Sequence, residues 1–249
     1  LKIVAIIPAF NEGRRIYDVV TETREYVEQV IVIDDGSHDD TVQHAERANA
    51  IVIRHPHNLG KGAACRSGFY GAMKLNCDAI IMLDGDGQHA PADIPKFIKA
   101  LKDSKETTGM VIGNRMKNTS DMPWARYFTN KTLSGLISFL ANTTITDTQC
   151  GFRLIHRNVL EKVDYENNRY DAESEILVRA ARAGFHISET PVQTIYNDAY
   201  SKINVFWDTL RFCRFFLRHL FNSPPVAHSE ARELSIELGK TITPPRSDT

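Results

Sequence analysis

Short apolar runs alternate with amphipathic stretches through the first half of the chain, and this alternation restricts the fold more than any other feature. Lys2 to Ile7, Gln29 to Ile33, Ala50 to Ile53, Ala79 to Leu83 and Met110 to Ile112 read as buried strands. Between them Glu12 to Val27, Asp40 to Ala48, Lys61 to Leu75 and Ala92 to Leu101 read as helices. Strands joined by helical crossovers of this length pair in parallel, with right-handed connections and helices on both faces of the sheet. Ligands of such sheets bind beyond the carboxyl ends of the strands. Three polar clusters fall there: Pro8 to Glu12 after the first run, Asp34-Asp35-Gly36-Ser37 after the second, and Asp84 to His89 after the fourth.

Those clusters carry specific chemistry. Asp84 and Asp86 stand one residue apart at a strand end, so both carboxylates project the same way and suit a hard divalent cation, Mg²⁺ or Mn²⁺, bridging to diphosphate oxygens. Gly85 and Gly87 let a ligand approach the backbone, and Gln88 and His89 extend the polar rim. Asp34 and Asp35 offer acceptors to a base N–H or to ribose hydroxyls. Asn58-Leu59-Gly60-Lys61-Gly62 opens a helix whose first N–H groups, with Lys61, favour anions. Together they describe a nucleoside-diphosphate site. Neither a Walker loop nor a Gly-x-Gly-x-x-Gly turn after the first strand is present, which argues against a P-loop enzyme and a dinucleotide oxidoreductase.

Composition narrows the partners. With 30 Lys+Arg against 31 Asp+Glu the chain lacks the basic excess on which nucleic-acid binding usually rests, so no nucleic-acid partner is expected. Cys65, Cys77, Cys150 and Cys213 are widely spaced without a Cys-x-x-Cys pair or a secretory leader, and reduced thiols in a cytoplasmic compartment are the simplest expectation. Cys150 reads as a small packing residue, and His55 and His57 as loop residues rather than metal ligands.

No run of about 18 apolar residues offers a membrane span, so membrane contact is expected to be peripheral. Met122 to Ala141 is long and apolar, with Trp124, Tyr127, Phe128 and Phe139. Ile203 to Phe221 sets Arg211, Arg214 and Arg218 against Phe206, Leu210, Cys213, Leu217 and Leu220, a pattern that suits either a membrane surface or a helix packed on the sheet. The expected division is therefore a catalytic domain over 1–202, a basic amphipathic helix over 203–222, and a loosely ordered tail over 223–249 with a short helix at Ser229 to Leu238.

Seven segments in order carry a resemblance: I-P-A-F-N-E (7–12), I-D-D-G-S-H-D-D-T (33–41), N-L-G-K-G (58–62), M-L-D-G-D-G-Q-H (82–89), G-N-R (113–115), D-T-Q-C-G-F-R (147–153) and G-F-H-I-S-E-T-P-V (184–192), leading to Tyr200-Ser201-Lys202. The chain resembles family 2 glycosyltransferases of the GT-A fold, in the branch of dolichyl- and polyprenyl-phosphate mannosyl- and glucosyltransferases. The resemblance implies that Pro8, Ala9, Asn11, Glu12 and Asp35 line the nucleoside pocket, joined at the donor by Lys61, Asp84, Gly85 and Arg115. It implies that Asp84, Asp86 and Gln88 hold the cation, that Arg115, Arg153 and Lys202 meet the acceptor phosphate or donor diphosphate, and that Asp86, Asp147 and Arg153 serve catalysis.

A phosphate acceptor is already ionised at neutral pH, so a strong general base is unnecessary and an orienting role suffices for Asp147. The implied reaction is one inverting displacement at the anomeric carbon, with a nucleotide sugar as donor and a polyprenyl or dolichyl phosphate as acceptor at the cytosolic membrane face. A small membrane subunit or a second copy of the chain is the implied protein partner.

Two departures bear on the details. The stretch Tyr196-Asn197-Asp198-Ala199-Tyr200 lacks the arginine that close mannosyltransferases place before the Ser-Lys pair, which leaves GDP-mannose, UDP-glucose and UDP-N-acetylhexosamine open as donors. The chain ends in a polar tail where relatives often carry membrane helices. A soluble or polysaccharide acceptor is the enzymatic alternative, although its Gln-x-x-Arg-Trp motif is absent. A nucleotide-sugar-binding regulatory module is the non-enzymatic one.

Overall fold

The computed structural model describes residues 1–104, 108–117, 122–163, 171–195 and 216. Lys202, the 223–249 tail and, apart from Phe216, the 203–222 helix lie outside the described residues. Phe216 is partly buried against the main core.

The parallel half forms as the alternation predicts. Strands β1 (Ile3–Ala9), β2 (Gln29–Asp34), β3 (Ile51–Arg54) and β4 (Ala79–Met82) are joined through helices α1 (Ile16–Thr23), α2 (Thr41–Arg47) and α3 (Lys61–Lys74). Every residue of β1 and β4 is buried, which requires helices on both faces of the sheet and explains why these runs are continuously apolar rather than alternating. Helix α3 lies close on β1 and β2 because it carries glycine where it crosses them: a Cβ at Gly68 would stand 2.7 Å from Ile33 Cδ1 and 3.2 Å from Ile6 Cβ, and one at Gly71 3.3 Å from Ile31 Cδ1.

Helix α1 is shorter than the Glu12 to Val27 expected. Its first residues are drawn into the rim, where Asn11 adopts φ 57°, its N–H donates to Ser37 Oγ, and the Glu12 N–H donates to Thr41 Oγ1. Those side chains compete with the first helical turn for its backbone donors.

The second half departs from simple alternation. After α4 (Ile94–Lys102), β5 (Thr108–Asn114) and the long α5 (Trp124–Ala141), strand β6 (Arg153–His156) inserts between β4 and β5 and runs antiparallel to both. Helices α6 (Arg157–Lys162) and α7 (Asp171–Arg182) then lead to β7 (His186–Pro191), which pairs in parallel with β5. The sheet order is β3-β2-β1-β4-β6-β5-β7, with β6 alone reversed among its seven strands. The ends of β1, β2 and β4 therefore meet at one rim. The chain leaving β7 crosses that rim, where Ile195 N–H donates to the Gln88 carbonyl and the Gln193 N–H to Asp93 Oδ2.

Candidate active site

Asp84 follows β4 and sits where strand, helix and loop converge. Lys61, the first residue of α3, places Nζ 2.6 Å from Asp84 Oδ1 and 2.7 Å from Glu173 Oε1 on α7. His89 Nε2 lies 3.4 Å from Asp84 Oδ2. Burial by itself pushes the Asp84 carboxyl up, but the Lys61 ammonium and His89 outweigh it and hold the group well below the usual carboxylate range. Burial likewise pushes Lys61 down, and the charges of Asp84 and Glu173 reverse this, raising it well above an ordinary lysine. Gly151 closes in from the side: a Cβ there would be 3.1 Å from Asp84 Oδ2 and 3.2 Å from Lys61 Nζ.

Asp86 is partly exposed two residues on, and its Oδ1 accepts the Gln88 N–H at 3.0 Å in a tight turn. Among the described residues no group of three or more His, Cys, Asp or Glu side chains forms a metal cage. The carboxylates of Asp84 and Asp86 with the Gln88 amide are nevertheless oxygen donors on one loop, a set that fits a hard cation completing its shell with phosphate and water. Asp84 is the most heavily engaged of the three, since Lys61 and His89 already approach its two oxygens.

The rim under the expected nucleoside pocket is stitched together by side chains. Pro8 and Ala9 end β1 against Gly85, whose Cβ would be 3.3 Å from Ala9 Cβ. Asn11 is exposed and accepts the His38 N–H at 2.9 Å, while Glu12 is half-buried beside it. Asp35 departs from expectation. It is buried, with Oδ1 accepting from His55 Nδ1 at 2.7 Å and the Leu59 N–H at 2.9 Å, and Oδ2 accepting the Gly60 N–H at 2.9 Å. Burial pushes its pKa up, but His55 and these two N–H groups hold it below the ordinary value.

Asp34 is buried too, with Oδ1 accepting the Ser37 N–H and Oδ2 lying 3.5 Å from Arg54 Nε. Both carboxylates therefore fasten the 34–60 loops from beneath the rim. His55 is no plain loop residue: it is buried between Asp35 and Ser67, its Nε2 2.9 Å from Ser67 Oγ. That Asp–His–Ser line is sealed beneath the rim and acts as a staple for the loop entering α3.

Opposite, at the end of β5, Arg115 grips Asp147 through two parallel contacts, Nε to Oδ2 at 2.8 Å and Nη2 to Oδ1 at 2.9 Å. The Asp147 side chain is fully buried, and Glu189 on β7 accepts the Asp147 N–H at 3.1 Å. Asp147 thus orients Arg115 and is not placed to act on a substrate itself.

Arg153 requires the larger correction. It is 1% exposed and donates Nε to the Cys150 carbonyl at 2.8 Å, Nη2 to the Thr148 carbonyl at 2.8 Å, and Nη1 to the Glu173 carbonyl at 2.6 Å. A guanidinium spent on three backbone carbonyls ties the 147–153 loop to α7 and has little left for a phosphate. Cys150 behaves as the packing residue expected, its thiol pushed up to about 11 by burial.

Glu173, Gly151 and Glu189 escaped the sequence reading as site residues. Gly151 and Glu189 fall inside the 147–153 and 184–192 segments and Glu173 inside none, but nothing local shows what any of them does, since each acts on a segment remote in the chain. Glu175, two residues on along α7, pairs with Arg179 at 2.6 Å instead of reaching Lys61.

A sequence profile described as Glycosyl transferase family 2 matches residues 4–164. A UDP-N-acetylglucosamine–dolichyl-phosphate N-acetylglucosaminyltransferase of Methanococcus voltae is 33% identical over 220 residues, covering 79% of this chain and 86% of that one. A polyprenol monophosphomannose synthase of Mycolicibacterium smegmatis is 28% identical over 203 residues, covering 76% of each. Among solved structures, glucosyl-3-phosphoglycerate synthase from Mycobacterium tuberculosis, in complex with Mn²⁺, UDP and phosphoglyceric acid, superposes with a TM-score of 0.68 at 19% identity, over 92% of this chain and 80% of that one. At that identity the likeness concerns the fold, which is GT-A-like. The strand-end carboxylates, the reversed β6 and the profile match agree, and the chain belongs to glycosyl transferase family 2.

Proposed function

We propose that the enzyme moves a hexose from a nucleoside-diphosphate sugar to a polyprenyl or dolichyl phosphate, with inversion at the anomeric carbon and with Mg²⁺ or Mn²⁺. The observation that carries this reading is the Asp84-Gly85-Asp86 turn beyond β4 with Lys61 2.6 Å from Asp84, a place where negative and positive groups alternate at a strand-end rim. Asp86 and Gln88 would hold the cation with Asp84 sharing, and a bound cation supplies charge to the departing diphosphate. Pro8, Ala9, Asn11, Glu12 and Gly85 line the side on which the nucleoside would lie. Lys61 opens α3, whose first N–H groups add to its attraction for the diphosphate.

Arg115 presents its guanidinium in an orientation fixed by Asp147. Side chains so held lose little freedom when an anion arrives, which favours the approach of acceptor phosphate to donor. Lys202 remains the candidate for a second cationic contact with that phosphate. The acceptor attacks in its ionised form, so no residue need remove a proton from it.

A lipid-borne acceptor is supported by helix α5. Trp124, Phe128 and Phe139 are 80%, 67% and 69% exposed. At helical spacing they fall within about 60° of one another on one face. Such an aromatic ridge suits the headgroup region of a bilayer. Among the described residues no helix is long and apolar enough to cross a membrane.

A donor screen tests the reading: purified protein, Mn²⁺ or Mg²⁺, a short polyprenyl phosphate, and labelled GDP-mannose, UDP-glucose or UDP-N-acetylglucosamine. Metal-dependent label in the lipid phase from one donor, lost in Asp86→Ala, is the expected result. Nucleotide release without lipid label would assign a different acceptor, and silence from every donor would defeat the reading.

A further inference from the structure

Four charged side chains form a line from the rim inward: Asp84, Lys61, Glu173 and Arg153. Side-chain exposure falls from 25% at Asp84 through 18% and 12% to 1% at Arg153. Signs alternate along it. Lys61 Nζ bridges the two carboxylates at 2.6 and 2.7 Å, and Arg153 Nη2 backs Glu173 Oε2 at 3.5 Å. Arg153 also fixes the Glu173 backbone by donating to its carbonyl at 2.6 Å.

The arrangement poses a competition. An ammonium at Asp84 Oδ1 occupies lone-pair space that a divalent cation would share, and with Asp84 as its sole partner Lys61 would be left as a nearly buried unpaired charge whenever Asp84 turned to a metal. Glu173 removes that cost, because Lys61 keeps one carboxylate when it loosens from the other. Gly151 keeps the space beside both groups clear, since a Cβ there would stand 3.2 Å from Lys61 Nζ and 3.1 Å from Asp84 Oδ2. We infer that Glu173 is a positioning residue of the donor site, which through Lys61 sets how much of the Asp84 carboxylate is available to a divalent cation. The inference rests on the reading of Asp84 and Asp86 as a cation and diphosphate site. It gives the N-terminal turn of α7 a part in donor binding that neither motif nor spacing announces.

The charges predict effects of opposite sign. Glu173→Gln keeps the shape but leaves Lys61 dependent on Asp84, so Mn²⁺ binding weakens, by about 10-fold if the partner acts as metal-orienting residues usually do. Lys61→Met removes the competing ammonium, so Mn²⁺ alone binds more tightly while UDP in the presence of Mn²⁺ binds more weakly. Glu175→Gln, on the same helix and paired with Arg179, leaves Mn²⁺ affinity unchanged. Free Mn²⁺ is titrated by electron paramagnetic resonance against the full chain without nucleotide, with thermal melts of each variant alongside.

Weakening in Glu173→Gln with tightening in Lys61→Met is the expected result. Wild-type affinity in a folded Glu173→Gln, or a shift of both variants in the same direction, overturns the inference, because a merely structural role would move melting temperature without dividing the two. Should Glu173→Gln not fold, Lys61→Met decides, and absence of tightening overturns it. Wild-type protein that binds Mn²⁺ and transfers sugar while Glu173→Gln matches it defeats the inference alone; wild-type protein silent in both assays defeats the underlying functional reading.

Discussion

Replacing Arg153 with methionine separates a structural arginine from a phosphate-binding one. The side chain is 1% exposed, and its removal strands the carbonyls of Thr148, Cys150 and Glu173 together with the Glu173 carboxylate it backs. Breaking a buried ion pair by deleting one partner costs about 3–5 kcal/mol. Three stranded carbonyls at about 1–3 kcal/mol each support the same range once partial relaxation toward water is allowed. For a chain of this size each kcal/mol lowers the melting temperature by about 2–4 °C, so Arg153→Met is expected to melt about 6–20 °C below wild type.

Urea denaturation and scanning calorimetry measure the loss, and steady-state kinetics on the folded fraction measure the acceptor KM, expected to stay near wild type. Arg153→Lys should recover little, since one ammonium cannot serve three carbonyls that a planar guanidinium reaches together. A variant that melts within about 2 °C of wild type yet binds acceptor phosphate or donor diphosphate more weakly would refute the reasoning and return Arg153 to the phosphate.

Asp35→Asn turns an amide N–H toward the Gly60 N–H, or else toward His55 and Leu59, and should cost about 1–3 kcal/mol at neutral pH in urea titrations. The folded pKa of Asp35 lies below its usual value, so its stabilising contribution is complete above about pH 4 and is lost as pH falls through the folded pKa. The gap between wild type and Asp35→Asn should accordingly narrow below about pH 4, and a gap constant from pH 7 to pH 3 would contradict the assignment. The aromatic ridge is tested by liposome flotation with Trp124→Glu/Phe128→Glu, and separately with Arg211, Arg214 and Arg218 changed to Glu. The ridge variant should float less well on anionic vesicles while melting as wild type does, and equal flotation of all three proteins would remove the membrane surface from the reading.

Much of the parallel half was legible in the sequence, because its evidence is local. A run such as Ile3 to Ala9 is buried on both faces whatever lies next to it, and the residues just past it fall at a rim by the geometry of the connections. Asp84 and Asp86 could be placed at that rim from spacing alone. Strand β6 could not: it has four residues, its first is a buried arginine, and it runs antiparallel because β4 and β5 lie on either side to receive its hydrogen bonds.

The directions of the charged side chains were hidden for the same reason. Asp34, Asp35, Arg115, Asp147 and Arg153 were identifiable as polar groups near the rim, yet whether each faced a ligand or another part of the chain depended on partners remote in sequence. Arg153 found three carbonyls, Asp35 found His55 and the turn before α3, and Glu173, unremarkable on its own helix, reached Lys61. Residue type fixes what a charge is able to pair with and hydrophobic periodicity fixes which segments are buried; only the packed structure decides which partner lies within 3 Å, because desolvation penalises every charge that the assembled chain leaves without one.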